Sequence, residues 1–477
     1  MLQNKPTFRW IHKMMDEMGT KILCICLGNT HVIVVSDPKI AREFLKEKDE
    51  IFSSRPDCMS SYLTSAGYMT TVLVPFNDHW KKMRKVLATE ILSSTRHKWL
   101  KSKRDEEADN LIRYIYNRCE LNFTITGGIM NVRTIAQQYS SNIIRKIIFG
   151  SRYFGKGSPD GGPGEEEIEH VDSLMIILSY VYAFCLTNYF PFLRWITDFD
   201  GHERIVRNAL RDGRKHQDRL IDERIQQWKM GIKIKEDDLL DVFINLKDPI
   251  LTNDQIKAQI HVRLAQFFEL VIAALDNTSN VIEWSIAEIM NQPRIFDRAI
   301  EELDFVVGKD RLVQESDIPN LNYIKACCKE GFRLHPVAPF NLPHMATIDT
   351  TVAGYFIPKG SHVLLSRIGL GRNSEVWDDP LIFNPDRHMI GGNEVVLTDN
   401  HLRMLSFSTG RRGCAGVLLG STMTAMLLAR MVQGFTWELP PNEPHVDLKE
   451  NFQDLLKAKP LLALVKPRLS HYLYPIC

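Results

Sequence analysis

The 477-residue sequence has no marked excess of charge of either sign, and this absence argues against one large class of function. Its 59 lysines and arginines and 58 aspartates and glutamates give a formal net charge of +1. Proteins that bind nucleic acid usually carry a clear basic excess. We therefore expect no nucleic-acid partner, and the 44% of hydrophobic residues indicates a folded globular core.

A regular cysteine pattern is also lacking. The nine cysteines are an odd number, with no Cys-x-x-Cys pair and no zinc-type spacing with histidine, so they do not form a disulfide framework. Cys24 and Cys26 alternate within an apolar run, and Cys327 and Cys328 lie in a helical pattern. We interpret both pairs as small buried hydrophobic residues of a reducing compartment.

The N-terminal residues contain no apolar run long enough for a signal peptide or a membrane span. No repeat or long linker divides the chain, so we predict a single domain over residues 1–477. Helical periodicity dominates, and the predicted fold class is mainly α. Residues 20–60 and 337–380 have the pattern of short strands and turns, and we expect them to contribute a small β portion.

One cysteine stands in an unusual setting. Cys414 lies in the run FSTGRRGCAG, residues 407–416, directly before an apolar helical segment. A thiolate ligand needs positive surroundings, which Arg411, Arg412 and the N-terminal end of the following helix supply. The glycines let the backbone approach a flat ligand closely. Zinc would need three further ligands nearby, whereas haem iron needs one protein ligand, and a cysteine thiolate favours O–O cleavage.

This run matches the haem-binding signature FxxGxRxCxG at every fixed position, and on it the chain resembles the cytochrome P-450 monooxygenases. The resemblance extends from Trp10 to the C-terminus. It implies the cytochrome P-450 fold, a large helical body with a small β-rich portion and haem b between the I and L helices. It also implies that Cys414 is the axial iron ligand and that Phe407, Arg412 and Gly416 belong to the haem site.

A second resemblance concerns a buried structural cluster. The run EGFR is similar to the ExxR of the K helix in this family, and FNPDRH is similar to the segment that follows it. On this resemblance Glu330, Arg333 and Arg387 form a buried cluster of structural residues. For Glu330 and Arg333 alone, a surface ion pair between residues three positions apart is the alternative.

Further resemblances concern the haem carboxylates. The run WKKMR is similar to the WxxxR of the C helix, which implies that Trp80 and Arg84 bind a haem propionate. His344 stands where most members of the superfamily carry an arginine as a propionate partner. The resemblance therefore places His344 in the cofactor site as well.

The oxygen-activating helix is expected within Glu269–Met290. O–O scission requires an acid followed by a hydroxyl residue that relay protons, and Asp276, Asn277 and Thr278 are the catalytic candidates. Asn277 occupies the usual position of a threonine. This asparagine, with runs such as DNTSNVIEW and PFNLPH, resembles the plant amino-acid N-monooxygenases that make aldoximes. The resemblance implies two N-hydroxylations of an L-amino acid, then dehydration and decarboxylation, in specialised metabolism.

Two other functions remain open at this point. The first is a cytochrome P-450 that hydroxylates carbon in another small metabolite, in which Asn277 is only a helix-distorting polar residue. The second is a haem-binding protein without turnover, such as a catalytically defective variant. Product analysis separates the first from an aldoxime-forming enzyme, and oxygen uptake coupled to NADPH separates the second.

The substrate pocket is expected between the B–C segment, the oxygen-activating helix, residues 337–342 and a turn near residue 455. These parts of the chain are largely apolar, so an aliphatic or aromatic amino acid fits better than a charged one. The B–C segment, residues 57–78, contains no lysine or arginine, so hydroxyls, backbone or Asn277 must meet the substrate carboxylate. The candidate pocket residues are Tyr68, Val72, Leu73, Phe340, Leu342 and Leu455.

Two features depart from the family pattern. Thr278 stands where the amino-acid N-monooxygenases have proline, which restores a hydroxyl and removes a helix kink. Compared with the amino-acid N-monooxygenases that the chain resembles, His261–Phe268 is an insertion of eight residues. As helix these residues would add about 12 Å and turn the upstream chain by roughly 80°. We therefore expect a bulge or loop there, or an unproductive gene product.

The resemblance also implies partners and a location. O2 is a co-substrate, and an NADPH–cytochrome P-450 reductase is expected to supply the electrons. Related enzymes begin with a membrane anchor and a proline-rich hinge, and we expect this chain to begin after both. The expected location is the cytosolic face of the endoplasmic reticulum membrane, with contact to the membrane surface in the full-length form.

Overall fold

The helices make up most of the architecture. The computed structural model describes residues 6–475 apart from 122–127, 182, 184, 191–197, 199, 200, 247–252, 390, 393 and 442. For residues 120, 121, 186, 253–269 and 272 it describes the backbone alone. The described α-helices are α1 (Thr7–Glu17), α2 (Pro38–Arg42), α3 (Met59–Thr64), α4 (Asp78–Val86), α5 (Ser94–Trp99), α6 (Lys101–Leu121), α7 (Val132–Phe149), α8 (Glu165–Tyr180), α9 (Leu186–Tyr189), α10 (His202–Lys229), α11 (Leu239–Asn245), α12 (Asn253–Met290), α13 (Pro293–Val306), α14 (Asn322–Leu334), α15 (Arg367–Gly371) and α16 (Val417–Gly434).

Shorter helical turns join these elements. π-helical turns follow α2 and α4 directly, and 3₁₀ turns lie before α14, before α16 and near the C-terminus. Their bounds are Glu43–Glu47 and Leu87–Ile91 for the π-helical turns, and Glu315–Asn320, Pro385–His388 and His471–Leu473 for the 3₁₀ turns.

The described strands form three small sheets. The largest has the order β1-β2-β7-β4 and takes its strands from both segments for which a β portion was expected. Strands β2 and β7 pair in parallel, with Val32 opposite His362, and the other pairs are antiparallel. A second sheet, β3-β9-β8, and a two-stranded one, β5-β6, complete the set. The strands are β1 (Ile22–Leu27), β2 (Thr30–Val35), β3 (Ile129–Asn131), β4 (His344–Met345), β5 (Thr350–Val352), β6 (Tyr355–Ile357), β7 (His362–Leu365), β8 (Phe435–Glu438) and β9 (Leu462–Pro467).

The edge strand β1 corrects one sequence interpretation. Cys24 and Cys26 are exposed, so their assignment as buried hydrophobic residues was wrong. Successive side chains in a strand point to opposite faces, and here Leu23 faces the core while both thiols face outward. Cys327 and Cys328, in contrast, are buried on α14.

Helix α16 lies at the centre of the largest hydrophobic core. It is long and apolar enough to cross a membrane by length and composition, but 67% of it is buried inside the protein, as in a core helix. Helices α12, α13 and α14 pack against it, and α7 packs along α12. This arrangement holds α12 and the segment before α16 on either side of one cavity.

Helix α12 runs unbroken from Asn253 to Met290, so the expected bulge or loop at His261–Phe268 was wrong. The physical reason is that no glycine or proline interrupts this stretch, and both residues are the main breakers of a helix. The extra residues lengthen the helix toward its N-terminus.

Candidate active site

The candidate site is a cavity lined by α12 and by the loop that carries Cys414. It encloses about 1410 Å³ of space free of atoms, part of it open to solvent. Cys414 lines it together with neighbouring residues of its loop and of α16. The polar residues of the lining are Arg55, Thr71, Trp80, Arg84, Asn277, Thr278, Asn341, Arg367, Ser406, Ser408, Arg412 and Thr424.

The loop that presents Cys414 is fixed by its own backbone. The Cys414 amide donates to the Phe407 carbonyl (2.9 Å), and the Gly413 amide donates to the Gly410 carbonyl (2.9 Å). Gly410 has a φ of +74°, and a Cβ there would collide with the Leu45 carbonyl. A glycine is therefore required at this position. The loop turns the Cys414 side chain into the cavity, where it is exposed.

The Cys414 sulfur has positive neighbours. It accepts a hydrogen bond from the Gly416 amide (3.2 Å). Burial raises the pKa of the Cys414 thiol, while the Gly416 amide, Arg84 and Arg367 lower it. The net direction is upward, so these groups alone do not produce the thiolate that the sequence led us to expect. A metal cation would, because a coordinating thiol loses its proton outright.

Four arginines line the cavity, and no carboxylate is among the described residues that line it. Arg412 donates to three backbone carbonyls, and its guanidinium lies 4.5 Å from the centroid of the Trp80 ring. Arg84 donates to the Gly413 carbonyl (2.6 Å). The Trp80 indole N–H donates to the Thr71 carbonyl (3.0 Å), so the backbone already engages this donor. This set of positive groups fits a ligand that carries carboxylates.

His344 does not line the cavity but is buried near two of its arginines. Its Nδ1 lies 2.8 Å from the Phe52 carbonyl, which can only accept, so Nδ1 carries the proton. Its Nε2 is buried without a hydrogen-bond partner. Burial, helped by Arg55 and Arg412, lowers the pKa of His344 to about 3. A propionate at Nε2 would therefore need a proton, either its own or one added to the ring.

Taken together, the residues present fit a haem group. The Cys414 sulfur faces the cavity, and four arginines but no carboxylate are among the described residues that line this cavity. The buried Nε2 of His344 also lacks a hydrogen-bond partner. Apolar side chains supply the contacts that a flat macrocycle needs. These include Leu87, Leu92, Ile144, Ile147, Ile148, Leu239, Phe332, Phe407, Leu419 and Met423.

Helix α12 brings two of the three candidate catalytic residues to the cavity. Asn277 and Thr278 line it. The Asn277 side-chain amide donates to the Ala273 carbonyl one turn earlier (3.0 Å), which leaves its Oδ1 available as an acceptor. Thr278 is buried, with its hydroxyl 3.5 Å from that of Thr424. Asp276 is not among the lining residues, so the expected acid and hydroxyl do not share one wall.

Asp276 has an unusual acidity for an aspartate. Burial raises its pKa to about 7, the Asp454 carboxylate adds to the rise, and Arg133 opposes it. An acid whose pKa lies near the working pH can both hold and release a proton, as general acid catalysis requires. Asp276 therefore has the properties of a proton donor, although it lies behind the cavity wall.

Only part of the candidate pocket set lines the cavity. Val72 and Leu342 do, and Leu342 also borders a second cavity that Phe340 lines. The Tyr68 hydroxyl instead donates to the Asp57 carboxylate within its own segment. Leu73 and Leu455 are buried and do not line the cavity.

The cluster around Glu330 is built as the resemblance implied, with one more member. Arg333 donates to both oxygens of Glu330 (2.8 and 2.6 Å), and Arg387 donates to one (3.0 Å). His388 also contacts Glu330, at 2.8 Å, which sequence reasoning missed. Burial alone would raise the pKa of Glu330, but the bonds from Arg333 and His388 outweigh it and lower this pKa to about 2. Both side chains of the Glu330–Arg333 pair are fully buried, so the surface alternative is excluded.

Sequence reasoning also missed polar residues of the cavity itself. Arg55, Asn341, Arg367 and Ser408 line it, yet none of them was among the candidate residues. A signal was present for Arg367, because a charged residue stands two positions after the last residue of the apolar strand β7. Ser408 lies inside the cysteine run and has a φ of +57°.

The helical body and the cysteine-bearing cavity are those of a haem-thiolate enzyme. The family model for cytochrome P450 matches residues 2–465. The chain belongs to the cytochrome P450 family, which confirms the predicted mainly α fold and a monooxygenase-class oxidoreductase. Membership implies haem-thiolate iron, O2 and electrons from a reductase. A solved structure of a zebra fish cytochrome P450 with abiraterone has a TM-score of 0.73 and 22% identity, covering 98% of this chain and 100% of that one.

Relatives with higher identity are plant enzymes. Valine N-monooxygenase 1 of Manihot esculenta is 55% identical and covers 100% of this chain and 86% of its own. Phenylalanine N-monooxygenase of Arabidopsis thaliana is 52% identical over 99% of this chain and 89% of its own. Tyrosine N-monooxygenase of Sorghum bicolor is 51% identical, and the match covers 100% of this chain and 84% of its own. The predicted resemblance to plant amino-acid N-monooxygenases is confirmed.

Proposed function

We propose that this chain converts an L-amino acid into its aldoxime by two N-hydroxylations, followed by dehydration and decarboxylation. One observation carries the proposal: relatives that match the whole chain at 51% to 55% identity are N-monooxygenases of amino acids. The amino acids in their names include valine, phenylalanine and tyrosine. The proposal therefore covers a class of substrate and leaves the side chain to experiment.

The proposed cofactor is haem b, with Cys414 as its axial ligand. When bound, the haem supplies the activation of O2. Arg84 and Arg412 would attract its carboxylates, and Phe407 and Gly416 line the same cavity beside the sulfur. The Trp80 ring stacks against the Arg412 guanidinium and so helps to hold it in place. His344 would contact a carboxylate only through a shared proton, because its Nε2 is an acceptor.

Asn277 is the proposed contact for the substrate amino group. Its amide N–H is engaged by the Ala273 carbonyl, so its Oδ1 can accept a hydrogen bond from an amino N–H in the cavity. Such a contact would hold the nitrogen in one place through two successive oxidations, which is a positioning effect. Thr278 and Asp276 are the proposed proton-carrying residues of the same helix, the first at the cavity and the second behind it.

The apolar lining favours a substrate with an aliphatic or aromatic side chain. Val72, Leu342, Ile144 and Leu239 contribute to it, and ligand pockets of this kind bind apolar groups and fix them with a few polar contacts. Electrons are proposed to come from an NADPH–cytochrome P-450 reductase at the cytosolic face of the endoplasmic reticulum membrane. The family resemblance supports this last proposal.

The test is a reconstitution with reductase, NADPH and one of valine, isoleucine, phenylalanine, tyrosine or tryptophan at a time. Mass spectrometry should detect the aldoxime of at least one amino acid, together with NADPH-dependent oxygen uptake. A product hydroxylated on carbon would contradict the proposal in favour of a carbon hydroxylase. Absence of substrate-dependent oxygen uptake would favour a haem-binding protein without turnover.

A further inference from the structure

Arg367 differs from the other cavity arginines in how little it is engaged. It is the first residue of helix α15, one residue beyond strand β7, and its backbone amide donates to the Pro339 carbonyl (2.9 Å). Its side chain lines the cavity, and its Nε is buried without a hydrogen-bond partner. Its one described side-chain hydrogen bond is long, 3.4 Å from a terminal nitrogen to Oδ1 of Asn341. A buried guanidinium with open donors is costly unless a ligand completes it.

The other cavity arginines each have a firm partner in the backbone. Arg84 donates to a carbonyl at 2.6 Å, Arg412 at 2.5 Å and Arg55 at 2.8 Å. Arg367 makes no bond of that length in the described structure. The other three arginines that line the cavity therefore do not share the open donors of Arg367.

Two arginines outside the cavity that also bury unpartnered nitrogens have a different setting. Arg104 buries one such nitrogen and Arg430 buries two. However, each forms an ion pair, with Glu315 and Asp109 respectively. No carboxylate of the described residues pairs with Arg367, which leaves its charge as well as its donors for a ligand.

Asn341 fixes the direction of this guanidinium. Its side-chain N–H donates to the Ser408 hydroxyl (3.1 Å), so its Oδ1 must face Arg367. Asn341 also lines both cavities. The pair therefore presents the free edge of a guanidinium to the cavity that Cys414 lines.

We propose that Arg367 is the carboxylate-binding group of this cavity, with Asn341 as its positioning residue. Guanidinium N–H groups match a carboxylate in two parallel hydrogen bonds. Two molecules expected here carry a carboxylate, namely the haem and the amino-acid substrate. The substrate case rests on the proposed function, whereas the haem case does not. The inference also answers where a substrate carboxylate can bind although the B–C segment has no basic residue.

The experiment uses the ferric holoprotein and the variants Arg367→Gln, Arg367→Lys and Arg42→Gln. Spectral titration measures the Kd of the amino acid that shifts the wild-type spectrum and of its decarboxylated amine. Haem transfer to excess apomyoglobin measures how tightly the cofactor is held. Arg42→Gln, at an exposed side chain outside the cavity, is the matched control and should change neither readout.

If the ligand is the substrate, Arg367→Gln should raise the Kd of the amino acid roughly 10- to 100-fold and leave that of the amine unchanged. Arg367→Lys should recover part of the loss because it keeps the charge but lacks the fork. If the ligand is the haem, Arg367→Gln should speed haem transfer by a similar factor and affect amine and amino acid alike. A variant with wild-type values in both readouts overturns the inference.

A failure of the proposed function is distinguishable from a failure of this inference. If no amino acid shifts the wild-type spectrum, the proposed function loses its support while haem transfer still decides the role of Arg367. Asn341→Asp provides a second variant if Arg367→Gln does not fold. It sets a carboxylate against the guanidinium and should produce the same changes as Arg367→Gln.

Discussion

Replacing Glu330 by glutamine removes one negative charge from the most heavily hydrogen-bonded carboxylate described above. Arg333, Arg387 and His388 all contact it, and its side chain has no exposed surface. The glutamine amide would also turn N–H donors toward groups that themselves donate. We therefore expect Glu330→Gln to destabilise the protein through the buried arginines that lose their counter-charge.

Two independent estimates of the stability lost in Glu330→Gln agree. The fall of the Glu330 pKa from 4.5 to about 2 corresponds to about 3 kcal/mol of stabilisation at neutral pH. Removing one partner of a buried ion pair costs roughly 3–5 kcal/mol. An unfolding entropy of about 2.1 cal/mol/K per residue over 477 residues converts about 3 kcal/mol into a fall in Tm of roughly 3 °C.

The assay is thermal unfolding of the holoprotein followed by far-ultraviolet circular dichroism at several pH values. Because the folded pKa of Glu330 is depressed, its stabilisation is present above pH 4.5 and is lost as the pH falls toward 2. The Tm difference should therefore stay constant between about pH 5 and 8. Glu17→Gln, at a side chain that is 64% exposed, is the control and should shift Tm by well under 1 °C. A difference below about 1 °C, or one that changes between pH 6 and 8, would refute the reasoning.

Three further predictions concern the cavity and its helix. Cys414→Ser should abolish the thiolate-type Soret band of the reduced, CO-bound protein while far-ultraviolet circular dichroism stays unchanged; a retained band would mean another axial ligand. Asp276→Asn should be nearly as stable as the parent near pH 4 and more stable by roughly 4 kcal/mol at pH 8, because the raised pKa of Asp276 lets the unfolded chain ionise first and so costs the parent stability between about pH 4 and 7; parallel Tm curves over this range would contradict it. Gly410→Ala should cost about 1–3 kcal/mol and loosen the haem, since φ is +74° there and a Cβ meets the Leu45 carbonyl; an unchanged Tm and haem content would show that the loop adapts.

Motifs with fixed spacing predicted more of the site than did patterns of polarity. The cysteine run placed Cys414, Phe407, Arg412 and Gly416 at one cavity because the loop geometry is local in sequence. Asn341 lies within the expected pocket segment 337–342 but was not singled out there, and Arg55 was missed because it reaches the cavity from a separate segment through tertiary packing. A single sequence without homologues carries no signal for such contacts.

Two errors have clear physical causes. The alternation around Cys24 and Cys26 marked a strand correctly but did not say which face the sheet would bury, and an edge strand can present either. The expected break in helix α12 assumed that a changed register cannot be tolerated. A helix without glycine or proline instead continues, as α12 does from Asn253 to Met290.

The number of cysteine thiols that react in the folded protein should report how much of the protein has bound haem. Of the cysteines in the described residues, Cys24, Cys26 and Cys414 are exposed, and five others are buried. Two of the accessible thiols lie on the outer face of a strand, and the third lies inside the cavity proposed to hold haem. A colorimetric thiol count on folded protein should therefore fall by one equivalent as haem is added, which offers a simple way to follow reconstitution in preparations that contain a mixture of empty and loaded protein.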